Sequence, residues 1–460
     1  MTDFLADLAQ QAPNLRLTTA PGDLEFYGRD WTRRWTPAPM AVAFPATIED
    51  VQAIARWASA HRVALVPSGG RTGLSGGAVA ANGELVVSFE RMNRVLDFNA
   101  IDRTLTVQPG IALEAVQKAA REYGLIYPVD FASRGSCSIG GSIATNAGGI
   151  RVIRYGNTRE WVAGIKLVTA SGELLELNRG LIKNSSGYDL RHLVIGAEGT
   201  LGFVVEATLR LTDPPPASQV MLFAVPQMDA LMQVYAVCRA RLTLSAFEFF
   251  TDRALHHVVA HGAQRPFAED SPYYVITEFD AGSYAQQQAA LEVFEQCMNA
   301  GWVSDGVMSQ SDAQAAALRK LREGITESLA PHLPYKNDIA VRISAVPAFI
   351  AEMHALLTRE YPGFDVVWFG HIGDGNLHIN VLKPAALTDA DFVAQCERVT
   401  KLLGETLARH GGSISAEHGI GLVKKPYLAS TRSAAEIALM RSLRAAFDPL
   451  GLMNPGKLFD

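Results

Sequence analysis

The chain has 460 residues, more than one hydrophobic core usually fills, so two or three domains are expected. Hydrophobic residues make up 48% and charged residues 19% of the sequence, which is typical of a globular protein and excludes extensive disorder. The formal net charge is −6, and no long block of Lys or Arg occurs. Nucleic acid is therefore not expected as a partner.

The N-terminus and the cysteines indicate a cytoplasmic protein. Residues 1–11 lack a basic start followed by an apolar run, so no signal or transit peptide is expected. No window of about 18 uncharged apolar residues occurs, so no transmembrane segment is expected. The cysteines form no C-x-x-C pair, which fits a reducing compartment without disulfides: Cys137, Cys238, Cys297 and Cys396.

The first half of the sequence predicts a mixed order of helices and strands. Thr47 followed by Asp50 is a capping pattern, and it predicts a helix start before residues 51–61. The apolar run 63–66 predicts a strand that stops at Pro67. Further elements are expected in the order strand, strand, helix and hairpin: 84–89, 104–108, 112–123, 166–170 and 173–177.

Three successive prolines, 214–216, mark a predicted domain boundary because they remove backbone donors and stiffen the chain. Beyond them, Ala-rich helical stretches at 284–299 and 312–329 alternate with strands such as 273–279. This order predicts an α+β domain that carries the substrate.

A glycine-rich loop, 67–77, follows the strand predicted at 63–66 and has five glycines within nine residues. Such a loop can adopt positive φ angles, and its amides can converge on an anion such as a pyrophosphate. It is neither a Walker A motif, because no Gly-Lys-Ser/Thr follows, nor a Rossmann fingerprint, because the glycine spacing differs. A flexible turn is the alternative interpretation of this loop alone.

Two further segments, 135–149 and 196–204, repeat this mixture of glycines, small residues and hydroxyls. Together with Tyr155-Gly156 and the C-terminal sequence 454–457, the three loops resemble the FAD domain of the vanillyl-alcohol oxidase (PCMH-type) flavoproteins. The whole chain resembles the branch of D-2-hydroxyglutarate, D-lactate and glycolate dehydrogenases. The fold implied is α+β, with a two-subdomain PCMH-type FAD-binding domain and an α+β substrate (cap) domain that has an antiparallel sheet.

The resemblance also implies a division of the chain into four parts. An N-terminal segment, 1–35, is expected to pack on the FAD-binding domain, 36–215. The substrate domain, 216–445, carries the expected metal site, and the tail, 446–460, returns to the FAD-binding domain.

The resemblance implies FAD as the cofactor. Relatives that attach FAD covalently use a histidine or cysteine of these loops, and the first loop has neither. Non-covalent FAD is therefore expected, while Cys137 in the second loop leaves covalent attachment open. The expected FAD-contacting residues are Pro67, Ser68, Gly69, Gly70, Arg71, Thr72, Gly73, Leu74, Gly135, Ser138, Gly140, Gly141, Thr145, Asn146, Gly148, Gly149, Gly156, Glu198, Gly202, Val204 and Asn454.

Two histidines, His371 and His378, flank a Gly-Asp-Gly turn, and Glu417 stands beside His418 further along the chain. In a straight strand an odd separation would point the imidazoles to opposite faces, so the turn is what could bring them together. Two nitrogens and one oxygen fit a divalent cation such as Zn²⁺. Histidines this far apart are otherwise more often structural or on the surface.

In the dehydrogenase branch, His371, His378 and Glu417 match the metal ligands and His418 matches the base. The function expected is FAD- and metal-dependent oxidation of a D-2-hydroxy acid to the 2-oxo acid, first of all D-2-hydroxyglutarate. A cation on the 2-hydroxyl would stabilise the alkoxide while His418 takes the proton and hydride passes from C2 to flavin N5.

A 2-hydroxy acid also needs cations for its carboxylate. Arg322 and Thr326 are four apart on one predicted helical face, and Lys336 supplies a second cation nearby. Alone these would be solvated residues. The resemblance implies a substrate-binding set of Arg322, Thr326, Lys336, Asn380 and His418.

Two positions, Leu318 and Arg342, depart from the pattern of the branch and leave the substrate open. D-lactate, D-malate or glycolate is therefore the alternative substrate. A non-catalytic subunit that only passes electrons is a further alternative, although such a subunit would have no reason to keep the histidines together. The resemblance favours an electron-transfer flavoprotein or a quinone as acceptor, and a homodimer is left open.

Overall fold

The structure is a computed structural model that describes residues 2–459. The chain divides into two compact units, each of which is held together by contacts among its own residues. Unit 1 takes the chain up to Gly149, the segment Tyr155–Pro214 and the residues from Glu417 onward, and unit 2 takes Ile150–Arg154 and Pro215–Ala416. The chain returns to unit 1 at Glu417, and the domain boundary expected at residue 446 stays a prediction.

Residues 2–214 form eight helices and nine strands. Helices α1 to α8 are Thr2–Gln11, Pro21–Tyr27, Ile48–His61, Leu113–Glu122, Ile139–Thr145, Val152–Tyr155, Thr158–Trp161 and Arg191–Val194. Strands β1 to β9 are Arg16–Thr18, Ala41–Phe44, Leu65–Ser68, Leu85–Ser88, Val95–Asn99, Thr104–Val107, Val162–Val168, Leu174–Leu177 and Phe203–Arg210.

The remainder of the described chain forms seven strands and eight helices. Strands β10 to β16 are Ser218–Val225, Leu244–Thr251, Tyr273–Asp280, Asp305–Met308, Tyr335–Ala340, Val366–Gly370 and Asn376–Val381. Helices α9 to α16 are Met228–Arg241, Asp252–Ala260, Tyr284–Asn299, Asp312–Glu323, Ile325–Leu329, Val346–Glu360, Asp389–His410 and Ala434–Phe447. Short 3-10 helices lie at Phe89–Arg91, Ala330–His332, Ile343–Ala345 and Lys425–Ser430.

Unit 1 contains two sheets. The first is mixed, in the order β1-β2-β4-β3, and the second is antiparallel, in the order β5-β6-β9-β7-β8. Helix α3 begins with the predicted capping box of Thr47 and Asp50 and buries Trp57 in a core with residues of both sheets. Side chains of α4 and of the antiparallel sheet form a second core.

Strand β3 continues through Pro67 to Ser68, so the prediction that the strand stops at Pro67 is wrong. The physical reason is the place of β3 at the edge of its sheet, where a residue without an N–H can pair on one side. The glycine loop therefore begins directly at the sheet edge.

Unit 2 is built on a seven-stranded sheet in the order β13-β10-β12-β11-β15-β16-β14, and every pair in it is antiparallel. The antiparallel sheet of the substrate domain is thus as predicted. Helices α10, α12 and α13 contribute to a core with side chains of this sheet, among them Phe250 and Phe369. The helical stretch predicted over 312–329 is helical as expected, but it is divided at Gly324 into α12 and α13.

Two further features of the described residues concern membrane spans and disulfides. Within residues 2–459, no helix combines the length and apolar character needed to cross a membrane. The four cysteines are buried and form no disulfide with one another.

Candidate active site

The three glycine-rich segments converge within unit 1. A Cβ at Gly70 would overlap the carbonyl oxygen of Ser136, and a Cβ at Gly199 would overlap the Pro67 ring. A hydrogen bond also joins the third segment to the second, because the amide of Glu198 donates to the carbonyl of Ala144 over 2.8 Å. Glycine is therefore required at Gly70 for the first and second loops to meet.

The C-terminal segment ties two of these loops together. Asn454 has a left-handed φ of 44°, and its side-chain amide donates to the carbonyls of Gly77 over 2.9 Å and Glu198 over 2.7 Å. Its Oδ1 is buried without a hydrogen-bond partner among the described residues. A cradle of small residues with an unsatisfied buried acceptor fits a flat, polar cofactor such as FAD.

Arg71 of the first glycine-rich loop has several contacts within unit 1. The Arg71 guanidinium donates to the Gly69 carbonyl over 2.9 Å and lies 4.4 and 4.6 Å from the Phe26 and Tyr27 ring centroids.

Cys137 is buried, and this burial raises the pKa of its thiol. A raised pKa disfavours the reactive thiolate, which supports non-covalent FAD.

The turn between β15 and β16 brings the two histidines of unit 2 together. The amide of Asp374 donates to the His371 carbonyl over 3.0 Å, and Gly375 has a φ of 86°, where a Cβ would also overlap the Val341 carbonyl. The ring centroids of His371 and His378 lie 5.4 Å apart. The expectation that the turn brings the imidazoles together is confirmed.

Each of these histidines faces a buried carboxylate. His371 Nδ1 lies 2.7 Å from Glu248 Oε1, and His378 Nδ1 lies 3.9 Å from Asp338 Oδ1. The Glu248 side chain is 2% exposed, and its other oxygen lies 2.9 Å from the Arg322 guanidinium. A proton on Nδ1 that points at Glu248 leaves Nε2 of His371 as the ligand nitrogen.

Strand register places several predicted residues on one face of the sheet. Lys336 of β14 is directly opposite Asn380 of β16, and Asp338 is opposite His378. Since side chains alternate along a strand, all four point to the same face. Phe369 of β15, opposite His378, shares this face and stacks under the Arg322 guanidinium at 4.8 Å.

The structure separates two residues that the sequence analysis placed on one helix. Arg322 lies near the end of α12 and is 7% exposed, whereas Thr326 lies in α13 and is exposed. The break at Gly324 is the reason. Arg322 and Thr326 therefore lie on two successive helices, and a substrate contact of Thr326 stays a prediction.

The segment with Glu417 and His418 follows directly on unit 2. The Ala416 amide donates to the Asp338 carbonyl over 3.4 Å, and Glu417 is the next residue. In unit 1, the Ser75 hydroxyl donates to the His418 carbonyl over 2.8 Å. His371, His378 and Asp338 thus belong to unit 2, while Glu417 and His418 open the C-terminal part of unit 1.

Family models match both parts of the sequence. The model of the C-terminal domain of FAD linked oxidases matches residues 214–458, and that of an FAD binding domain matches residues 39–178. The chain belongs to the FAD-linked oxidase family. These domains, together with the similar proteins described next, confirm the prediction of an FAD-dependent dehydrogenase.

Similar proteins extend over the whole chain. A "D-2-hydroxyglutarate dehydrogenase" of Xanthomonas citri pv. viticola is 73% identical and covers 100% of this chain and 98% of its own. A protein of the same name from Stutzerimonas stutzeri is 55% identical, with 96% of each chain covered. The solved structure of p-cresol methylhydroxylase with substrate bound has a TM-score of 0.75 at 13% identity, covering 100% of this chain and 98% of its own. This likeness confirms the predicted PCMH-type fold.

Sequence reasoning missed Glu248, Asp338 and Ser75. A signal existed for Glu248, because it is a single carboxylate within the strand sequence LSAFEFFT of β11. A buried carboxylate in an apolar strand needs a partner, and here that partner is His371 together with Arg322. No comparable signal marked Ser75, whose partner is 343 residues away.

Proposed function

We propose that the chain oxidises a D-2-hydroxy acid to the 2-oxo acid with FAD and a divalent cation, and that D-2-hydroxyglutarate is the substrate. The observation that carries the proposal is the chain of contacts from Arg322 through Glu248 to His371, beside His378. These contacts connect Arg322, a charged side chain that can bind an anion, to the two histidines proposed as metal ligands. The names of the similar proteins support the substrate.

His371, His378 and Glu417 are the proposed ligands of the cation, with Zn²⁺ as the first candidate. Two imidazoles and one carboxylate leave coordination positions for substrate, as catalytic zinc sites require. Glu248 fixes the ring of His371 by accepting from its Nδ1. When bound, the cation supplies positive charge at the substrate hydroxyl.

Arg322, Lys336 and Asn380 are proposed to bind the substrate, together with Thr326. Arg322 is buried, and its Nε has no hydrogen-bond partner among residues 2–459. A buried guanidinium with an unused donor favours a carboxylate ligand. Lys336 and Asn380 are a directly opposed pair on the same sheet face as His378 and supply a cation and an amide.

His418 is the proposed base that accepts the proton of the 2-hydroxyl, a role that suits an imidazole near neutral pH. The three glycine-rich loops and Asn454 are proposed to hold FAD non-covalently. When bound, FAD supplies the hydride acceptor that no side chain offers.

D-lactate, D-malate and glycolate are the alternative substrates, since the proposed contacts of unit 2 concern one carboxylate, which all of these acids share. An electron-transfer flavoprotein or quinone as acceptor stays a prediction. The homodimer stays open, and the cytoplasmic location stays a prediction.

Anaerobic flavin bleaching tests this proposal. D- and L-2-hydroxy acids are mixed with the FAD-loaded protein, and D-2-hydroxyglutarate should bleach the flavin fastest. His418→Ala should keep the yellow colour but lose the bleaching, and His371→Ala or His378→Ala should lower bound metal by elemental analysis. Unchanged bleaching in His418→Ala contradicts the base assignment, and rapid peroxide formation in air contradicts a dehydrogenase.

A further inference from the structure

Glu198 occupies a strained position in the third glycine-rich segment of unit 1. Its φ is 51°, in the left-handed region that residues with a Cβ rarely adopt, and the side chain is 6% exposed. Its backbone is fixed on both sides, because its amide donates to Ala144 and its carbonyl accepts from Asn454. Strain that the surroundings hold in place is typical of functional sites.

The Glu198 carboxylate points at the segment that follows His418. Oε1 accepts from the Ile420 amide and Oε2 accepts from the Gly421 amide, each over 2.7 Å. Gly419 has a φ of 76°, and a Cβ there would lie 2.9 Å from Glu198 Oε1. The carboxylate is thus packed against three successive residues after His418.

Ser75 of the first glycine-rich loop also binds this segment. Its hydroxyl donates to the His418 carbonyl over 2.8 Å, and its own carbonyl accepts from the amides of Leu422 and Val423 over 2.8 and 2.9 Å. Together Ser75 and Glu198 make five hydrogen bonds to residues 418–423. The backbone that carries His418 is therefore clamped by residues of two glycine-rich loops.

We propose that Glu198 is a positioning residue, which holds the backbone of His418 so that its imidazole meets the substrate proton. This rests on the proposed role of His418 as the base. The sequence resemblance places Glu198 among FAD contacts, whereas its carboxylate is engaged by amides of the His418 segment. A general base must be held within hydrogen-bond reach of its proton, so a loosened backbone slows proton removal.

Glu198→Gln tests this role with the smallest change. Only one oxygen remains to accept, and the new NH₂ group faces a backbone N–H, so one hydrogen bond is lost and two donors oppose each other. Rates are measured on FAD-loaded protein in anaerobic single turnovers at about pH 8.5, above the pKa of about 7 to which burial raises the Glu198 carboxyl. We expect a rate constant of flavin reduction at least about 10-fold lower, with substrate affinity within about 2-fold of wild type.

Glu84→Gln is the matched control. Glu84 is likewise buried in unit 1 and accepts a backbone amide, that of Asn82, over 2.6 Å. A purely structural loss of a buried carboxylate lowers the FAD-loaded fraction in both variants but leaves the rate constant per bound flavin unchanged. Only Glu198→Gln should lower that rate constant.

The double variant Glu198→Gln/His418→Ala separates this proposal from the proposed function. If Glu198 acts through His418, the double variant should reduce flavin no more slowly than His418→Ala alone. A full further loss in the double variant, or a wild-type rate in Glu198→Gln, overturns the positioning role. A wild-type rate in His418→Ala instead overturns the base assignment itself, whatever Glu198→Gln shows.

Discussion

Glu248 Oε1 lies 2.7 Å from His371 Nδ1, while Oε2 of the same carboxylate lies 2.9 Å from the Arg322 guanidinium. One buried side chain therefore orients a proposed metal ligand and pairs with a proposed substrate-binding cation. Arg322 compensates the buried charge of the carboxylate through the ion pair, while the contact with His371 fixes the orientation of the imidazole. Metal affinity and substrate binding should respond to the same residue.

Glu248→Gln should weaken metal binding. A Gln amide can present its NH₂ to His371 Nδ1, which favours the other tautomer and removes Nε2 as a ligand. We expect a metal affinity about 10- to 100-fold lower, the usual effect of losing a carboxylate behind a ligand histidine. Chelator-treated protein titrated with Zn²⁺ measures it.

Glu278→Gln is the control for that experiment. Glu278 is also a carboxylate of the unit 2 sheet, but it pairs with Arg319 and Ser218. The Glu278→Gln variant should bind the metal with the same affinity as the wild type. If Glu248→Gln matches Glu278→Gln in affinity, Glu248 does not orient the ligand.

Arg322→Lys should weaken substrate binding while leaving FAD in place. Lys keeps the charge but loses the planar fork that stacks on Phe369, pairs with Glu248 and has an Nε donor without a partner among the described residues. The substrate Kd, taken from the concentration dependence of anaerobic flavin reduction, should rise at least about 10-fold, since a charge-assisted hydrogen bond contributes about 1.5–3 kcal/mol. Arg319→Lys, whose Arg pairs with Glu278, should change the Kd far less, and equal effects at both positions would contradict the assignment.

The local parts of the fold could be predicted from sequence because their signals are local. The capping box at Thr47, the hairpin around Ser171-Gly172 and the helix Tyr284–Asn299 each depend on neighbouring residues. The break at Gly324 was missed because a single glycine inside a helical pattern is often tolerated. Pro67 was misread because the edge position of β3 depends on β4, which follows it by about 20 residues.

The site could be predicted only as residue types. The His371 to His378 spacing indicated that a turn could bring the rings together, and it does so. Glu248 was out of reach because its contact with His371 spans 123 residues and depends on β11 and β15 pairing. The direction of the Glu198 carboxylate likewise depends on a contact across 222 residues.

Gly70→Ala should lower FAD affinity. The new methyl group would overlap the Ser136 carbonyl, a backbone atom that cannot move without shifting the second glycine-rich loop. We expect released FAD to rise and the FAD Kd to increase at least about 10-fold, which corresponds to about 1.4 kcal/mol.

Gly22→Ala is the control for Gly70→Ala. Gly22 lies in α2 with open space where its Cβ would be, and Ala favours a helix. It should retain FAD like the wild type. Retention of FAD by Gly70→Ala as well would contradict the close approach of the two loops.

Lys457 gives the pH dependence of stability a testable sign. The side chain is buried, and its Nζ donates to the Val79 carbonyl over 2.8 Å. Burial lowers the pKa of this amine from 10.5 to about 8. An unfolded chain keeps the proton up to the higher value, so between these pH values the unfolded state binds more protons and stability rises with pH.

Lys457→Met removes this titration and should flatten the rise. The free energy of unfolding of the wild type should gain about 2 kcal/mol relative to Lys457→Met between about pH 7.5 and 9.5, at about 1.36 kcal/mol per pKa unit. Chemical denaturation of both proteins at the two pH values measures the difference, and taking the difference cancels groups that titrate alike in both. A constant difference across this range would mean that the buried amine keeps its ordinary pKa.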